Sequence, residues 1–320
     1  MKIQRKENEI KGDDLMTKYI LKRILMMIVT LFFIILITFV LMHSVPGGPF
    51  TQERELPEQV EAALNEKYHL KDPLYKQFFD YIKGIIQFDL GPSFKYQGKT
   101  VNDFIENGFP VSAKIGGITI LFILLAAIPL GILAAIKNDQ WQDMVVMTLA
   151  TIGVTIPSFV VATVLMYVFS YSLKWTPTFG LDSWKSYILP VIALGGYSMA
   201  FIARLMRSSL LEVMGQDYIR TARAKGLSEN KIITRHALRN ALIPVITILG
   251  PTIAGLLTGS FVIERIFAIP GMGVYFVDSV GQRDYTAIMG ITVFYAIFLI
   301  AMVFLVDIFY VLIDPRIKFE

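Results

Sequence analysis

The fold class this sequence predicts is all-α: a polytopic membrane protein with six transmembrane helices. Three observations predict it. The 320 residues are 54% hydrophobic and only 18% charged, the mean hydropathy is +0.57, and six stretches hold no Asp, Glu, Lys or Arg. An average soluble domain carries about 25% charged residues and lacks apolar runs of 20 or more. The six stretches, 24–42, 115–136, 144–173, 186–203, 241–263 and 286–306, are 19, 22, 30, 18, 23 and 21 residues long. About 20 apolar residues carry a helix across the roughly 30 Å hydrocarbon core. Each run therefore suffices for one span, and the 30-residue run for a tilted or kinked one.

Residues 1–23 place Lys18, Lys22 and Arg23 directly before the first run, 24–42, in the manner of a signal peptide. That run exceeds the 7–15 apolar residues of a signal, and Met42-His43-Ser44-Val45-Pro46 shows no small-residue cleavage pattern, so a retained first helix is expected. If the six runs alternate in direction, 18 of the 30 basic residues fall on the side of the N-terminus and 12 on the other. Long translocated loops escape the positive-inside rule. Without the 43–114 segment, the ratio becomes 18 to 4 and places both termini in the cytoplasm.

The 43–114 segment is too long for a plain connection. Within it Leu74, Phe78, Ile82, Ile85 and Ile86 recur at helical spacing with Lys76, Gln77, Asp80 and Lys83 between them. That pattern fits an amphipathic helix on the outer interface or a small packed extracellular subdomain. The rest divides into a five-helix core, 115–313, which includes a basic cytoplasmic loop at 204–240, and a cytoplasmic C-terminus at 314–320. Pro129, Pro157, Pro190, Pro244 and Pro251 fall in or at the edge of apolar runs. Proline removes a backbone donor and bends a helix, which membranes tolerate where protein or water satisfies the freed carbonyls. Kinked helices around a cavity are expected.

Chemistry-bearing motifs are few. Without cysteine, disulfides, thiolate metal sites and cysteine nucleophiles are excluded. Gly98-Lys99-Thr100 ends like a phosphate-binding loop, but Ser93 stands where the first glycine is needed and no apolar strand precedes it. His43, His69 and His236 are scattered and no His-Glu-x-x-His is present. No catalytic residue, metal site or cofactor of its own is expected, and any ATP must bind a separate subunit. Asp307, at the end of the last run, is expected to pair with a base such as Arg204 or Arg207.

Thr148, Thr151, Thr155 and Ser158 recur at intervals of three, four and three, which puts their hydroxyls on one helix face. Thr247 and Thr258 lie among Gly250, Gly255 and Gly259. These six hydroxyls either line a path that spares a peptide-like solute the cost of bare hydrocarbon or back-bond to their own helices. Gly255-x-x-x-Gly259 also fits a helix-packing face.

The most informative segment is Asp217, Tyr218, Ile219, Arg220, Thr221, Ala222, Arg223, Ala224, Lys225, Gly226 and Leu227, followed by Arg235-His-Ala-Leu-Arg-Asn-Ala-Leu-Ile-Pro244. Asp217 favours a helix N-terminus, and Gly226 suits the left-handed position that ends one. Ser228 suits the cap of the next helix. A short surface helix that stops abruptly is expected; a generic basic loop would not require the small Thr221, Ala222 and Ala224 beside a terminating glycine.

At these residues the chain resembles the cytoplasmic coupling motif of ABC importer permeases: Glu-Ala-Ala, three residues, Gly, then nine residues before Ile-x-Leu-Pro. Arg220-Thr221-Ala222 stands for Glu-Ala-Ala and Gly226 for the glycine. His236 and Arg239 replace the Ile and Pro, and Pro244 arrives five residues late. This variant is similar to the peptide and nickel permease branch. Further matches are 46–54 (Pro-Gly-Gly-Pro-Phe-Thr-Gln-Glu-Arg), 91–96 (Gly-Pro-Ser-Phe-Lys-Tyr), 109–114 (Phe-Pro-Val-Ser-Ala-Lys), 156–159 (Ile-Pro-Ser-Phe), 269–273 (Ile-Pro-Gly-Met-Gly) and 314–316 (Asp-Pro-Arg). Together they resemble the B-type membrane subunits of oligopeptide permeases, the Pro-Phe-Thr-x-Glu-Arg stretch favouring oligopeptides over dipeptides or nickel.

The resemblance implies a type I ABC importer permease fold in a bacterial plasma membrane. It also implies a second homologous permease subunit, two cytoplasmic ATPase subunits that hold ATP and Mg, and an extracellular peptide-binding lipoprotein. Residues 217–227 would then contact the ATPases, with Ala222 facing a close-packed groove on the partner. An ion-gradient-driven secondary transporter is the alternative of another class. It usually shows repeated halves and ionisable residues inside its spans, and the apolar runs show neither.

Overall fold

The computed structural model describes residues 2–45 and 71–313, with side chains described for 20–45, 71–306 and 308. The 46–54 and 314–316 matches and the side chain of Asp307 lie outside the described residues. Helices follow one another as α1 (Lys2–Ser44), α2 (Leu74–Ile86), α3 (Val101–Ile136), α4 (Trp141–Thr155) and α5 (Ser158–Leu165), the last prolonged by π-helical turns over Met166–Ser172. A 3₁₀ turn, Trp184–Tyr187, opens α6 (Ile188–Met214), which leads to the short α7 (Asp217–Ala224). Glu229–Lys231 and the π-helical Ile232–Ala237 run into α8 (Leu238–Leu257), followed by α9 (Phe261–Ile266), α10 (Met272–Gly281) and α11 (Tyr285–Ile313). Among the described residues the only β pairing is an isolated bridge between Pro92 and Thr100.

Five helical stretches, Ile20–Ser44, Val101–Ile136, Trp184–Met214, Glu229–Ile266 and Tyr285–Val306, are long and apolar enough to cross a membrane; α4 with Ser158–Ser172 forms a sixth as a bent pair. The expected six spans are thus present, with one correction: the 144–173 run is not one helix. Ile156 is extended (φ −83°, ψ 126°), Pro157 follows at φ −57°, ψ 141°, and α5 leaves at 107° to α4. The residue before a proline is pushed out of the α region, and Pro157 has no N–H to continue the ladder. Pro129, Pro244 and Pro251, by contrast, lie inside continuous helices.

The residues form two compact units, one running up to Glu106 and resuming at Phe276, the other Asn107–Tyr275. In the first, α1 and α11 pack together and α2 lies against them. Phe78 is buried among Ile35, Phe39, Met289 and Val293, with Tyr81, Ile82 and Ile85 beside it. Leu74 and Ile86, counted with the same apolar set in the sequence, are exposed instead. The Tyr81 hydroxyl has no partner among the described residues, and burial pushes its pKa up.

The Gly98-Lys99-Thr100 stretch turns out to be a helix start. The Thr100 N–H and hydroxyl both donate to Asp103 Oδ2 (2.7 and 2.9 Å), and the Asp103 N–H donates back to Thr100 Oγ1 (3.2 Å). This is a capping box that opens α3. Nearby, buried Asp284 accepts from the Ser93 hydroxyl and the Phe94 N–H, and from the Ala287 N–H in the first turn of α11. One carboxylate thus caps α11 and holds the 91–96 loop on it.

In the second unit α6 packs against α4, α5 and α8. Its side chains Ile202, Met206 and Leu210 are buried with Ile123 of α3 and Val245 of α8. Glycines set the spacing: a Cβ on Gly116 would stand 2.2 Å from the Leu256 carbonyl oxygen, and one on Gly131 2.6 Å from that of Ala203.

Candidate functional site

The sequence-predicted surface helix is present over Asp217–Ala224. Asp217 occupies its first turn, where a carboxylate suits the positive end of the helix dipole. Ile219 and Ala222, three residues apart and so on one face, are 0% and 7% exposed. They are packed into the core formed with Leu210 of α6, Ile232, and Ala241 of α8. The helix ends in a Schellman motif. The Leu227 N–H donates to the Ala222 carbonyl (3.4 Å) and the Gly226 N–H to that of Arg223 (2.9 Å), while Gly226 takes φ +75°. Leu227 then packs on the same core, which fixes the direction of exit.

Two expectations are corrected here. Ala222 does not face outward toward a partner, because this chain's own core already buries it. Ser228 stands at the expected cap position with extended backbone, but its side chain makes no capping bond. What α7 presents outward is Asp217, Tyr218, Arg220, Thr221, Arg223 and Ala224, with Lys225 beyond. Arg223 reaches across the turn to Glu229 (2.7 and 3.3 Å), and the Asn240 amide donates to the Tyr218 hydroxyl (2.7 Å), tying α7 to the start of α8.

The hydroxyl face is also only partly as expected. Thr148, Thr151 and Thr155 lie along α4, all exposed in this chain, but Ser158 begins α5 beyond the bend and does not share their face. Thr151 donates to the Met147 carbonyl and Thr155 to that of Thr151 (2.7 and 2.8 Å). Thr247 back-bonds to Ile243, and Thr258 to Ala254 and Gly255. Gly259 is not on a helix face with Gly255, since α8 stops at Leu257 and Gly259 turns at φ +86°.

Two buried carboxyls, Asp143 and Glu264, carry no motif that marks them in the sequence. Asp143 accepts a bidentate pair from Arg207 (both contacts 2.6 Å) and an N–H from Asp139; Arg207 also donates to Asn138. Arg207, one of the two partners expected for Asp307, thus has a carboxylate within its own unit. Glu264, 3% exposed, makes no ion pair among the described residues. Its Oε1 accepts from the Ser112 hydroxyl (2.7 Å) and its Oε2 from the Gly273 N–H (2.8 Å), while Ser112 Oγ accepts the Met272 N–H (2.9 Å). A Cβ on Gly259, Gly271 or Gly273 would press on this carboxyl, so the 269–273 stretch is the wall of its cage. No group of three or more potential metal ligands occurs among the described residues.

Five candidate spans, or six with the bent pair, define a multi-pass membrane protein. Residues 127–319 match the family described as binding-protein-dependent transport system inner membrane component, and residues 16–116 its N-terminal companion. The chain belongs to this family. It is 52% identical over 303 residues to the dipeptide transport system permease protein DppB of Bacillus subtilis, covering 95% of this chain and 98% of that protein. Identity is 45% over 306 residues to the oligopeptide transport system permease protein OppB of Salmonella typhimurium, 95% and 100% covered. A chain of the MetNI methionine ABC transporter, solved in inward-facing conformations, shares the fold at TM-score 0.53 and 19% identity, over 67% of this chain and 97% of that one.

Proposed function

We propose that this chain is one of two membrane-spanning subunits of an ATP-driven peptide importer, with ATP and Mg bound by two cytoplasmic ATPase subunits and peptide delivered by an extracellular lipoprotein. The observation that carries the reading is the anchoring of α7. Ile219, Ala222 and Leu227 sink one side of the helix into the core shared with α6 and α8, so a displacement applied to its exposed basic side moves those spans rather than a loop. ATP closing the partner sites would then shift the bundle between inward-open and outward-open packings. The relatives named for peptide transport support peptides as cargo. The 46–54 stretch favours oligopeptides, and the 52% identity to a dipeptide permease favours dipeptides equally. In this reading both termini are cytoplasmic, and Thr148, Thr151, Thr155, Ser158, Thr247 and Thr258 belong to the path.

Co-purification with a tagged chain tests the assembly: a second permease and two ATPases are expected, and a chain that purifies alone and transports without ATP overturns it. Gly226→Val forces a β-branched residue to positive φ, at about 1–2 kcal/mol. It should abolish peptide uptake and ATPase retention while the chain still accumulates in the membrane. Arg220→Glu, on the exposed side, should weaken ATPase retention without lowering the chain's thermal stability. Normal uptake by both variants would remove the coupling role of α7.

A further inference from the structure

Two arginines stand one turn apart on α6 and are treated differently. Arg207 is neutralised by Asp143 within this chain. Arg204, half-buried, donates from Nη2 to Thr151 Oγ1 at 2.8 Å, and among the described residues this is its single hydrogen bond and it has no ion pair. Guanidinium carries five N–H donors and is always charged, so most of its donor capacity is uncommitted. Arg204 is the first residue past the apolar run 186–203, and it meets α4 at Thr151, seven residues inside the run 144–173.

The surroundings orient it. The Thr151 proton goes to the Met147 carbonyl, which leaves the hydroxyl oxygen to accept from Arg204. Thr155, the next exposed hydroxyl along α4, lies one turn nearer the break at Ile156–Pro157. Gly153 lets the helices approach here, since a Cβ on it would stand 3.0 Å from Ala200 Cβ.

We infer that Arg204, oriented by Thr151, is a carboxylate-binding subsite on the translocation path that takes the C-terminal carboxylate of a passing peptide. This rests on the peptide-importer reading. A planar fork pairs with a carboxylate through two parallel charge-assisted bonds. Every unmodified peptide carries that group, so one fixed arginine serves cargo of any side-chain sequence. Arg207 cannot serve, because Asp143 occupies its fork.

The test compares uptake of one peptide as free acid and as C-terminal amide in cells carrying the complete transporter, with wild-type chain, Arg204→Gln, Arg204→Lys and Asp307→Asn. Selection by the binding protein is common to all four and cancels in the comparison of acid-to-amide ratios. Arg204→Gln should lower the ratio about tenfold, the loss expected for a hydrogen bond to a charged group. Arg204→Lys should recover part of it and Asp307→Asn should leave it unchanged. An unchanged ratio in Arg204→Gln overturns the subsite. So does an equal fall of acid and amide uptake, which would mark a structural arginine or one paired with a neighbouring subunit. The same ratio change in Asp307→Asn would make that carboxylate the natural partner and overturn it too. A wild-type transporter that imports neither form overturns the peptide reading itself.

Discussion

Asp143 and Glu264 are both buried carboxyls, and their surroundings differ in kind. Asp143 follows the C-terminal end of α3 and is met by the full charge of Arg207, its side chain 5% exposed and that of the arginine 24%. Glu264 lies against Ser112 in the N-terminal third of α3, about 36 Å away along the helix. Among the described residues it is met there by dipoles: the Ser112 hydroxyl and the backbone at Ser260 and at the start of α10. Charge against charge makes a strong joint whose rupture strands an ion. A cage of hydroxyl and N–H groups depends on the backbone of the 269–273 turn staying in place. The first joint tolerates movement of its surroundings; the second reports on them.

That contrast can be broken by mutation, the largest effect first. Arg207→Ala strands the Asp143 carboxylate and should destabilise the chain by about 3 kcal/mol, read as a fall in melting temperature in detergent. Pairing it with Asp143→Asn should restore most of the loss, and a double variant as unstable as the single would show that the arginine acts by packing. Glu264→Gln sets an NH₂ group against a hydrogen-bond donor in the cage and should lose about 1–3 kcal/mol, with no second-site rescue by a nearby cation. Ser112→Ala removes one donor to Glu264 and one acceptor for Met272, for a loss of about 1–2 kcal/mol. The exposed Arg223–Glu229 pair is the control. Glu229→Ala should change stability by less than about 1 kcal/mol and become indistinguishable from wild type at high salt.

Local signals were readable in the sequence and distant ones were not. The start and stop of α7 were legible because Asp217 and Gly226 act within one turn of themselves. The capping role of Thr100 is equally local, set by Asp103 three residues on, but it falls within Gly98-Lys99-Thr100, which has the look of a phosphate loop. Ser112 and Glu264 are 152 residues apart and Asp143 and Arg207 are 64, and no periodicity links members of such pairs. Each carboxylate sits one residue outside an apolar run, where a charge reads as the ordinary polar end of a span. The break in the third span was half visible. Pro157 marks a bend, but a long apolar run read by hydropathy alone has no corner, and a continuous helix would keep Ser158 on the face it in fact leaves.

That corner bears on what holds the third span in place. At about 1.5 Å per residue the 15 residues of α4 reach roughly 22 Å, short of the roughly 30 Å core. The rest of the span sets off from its end at 107°. Neither half crosses alone, so the position of the pair rests on α6, against which both halves pack and which holds α4 through Arg204 on Thr151, Arg207 on Asp143 and Ala200 beside Gly153.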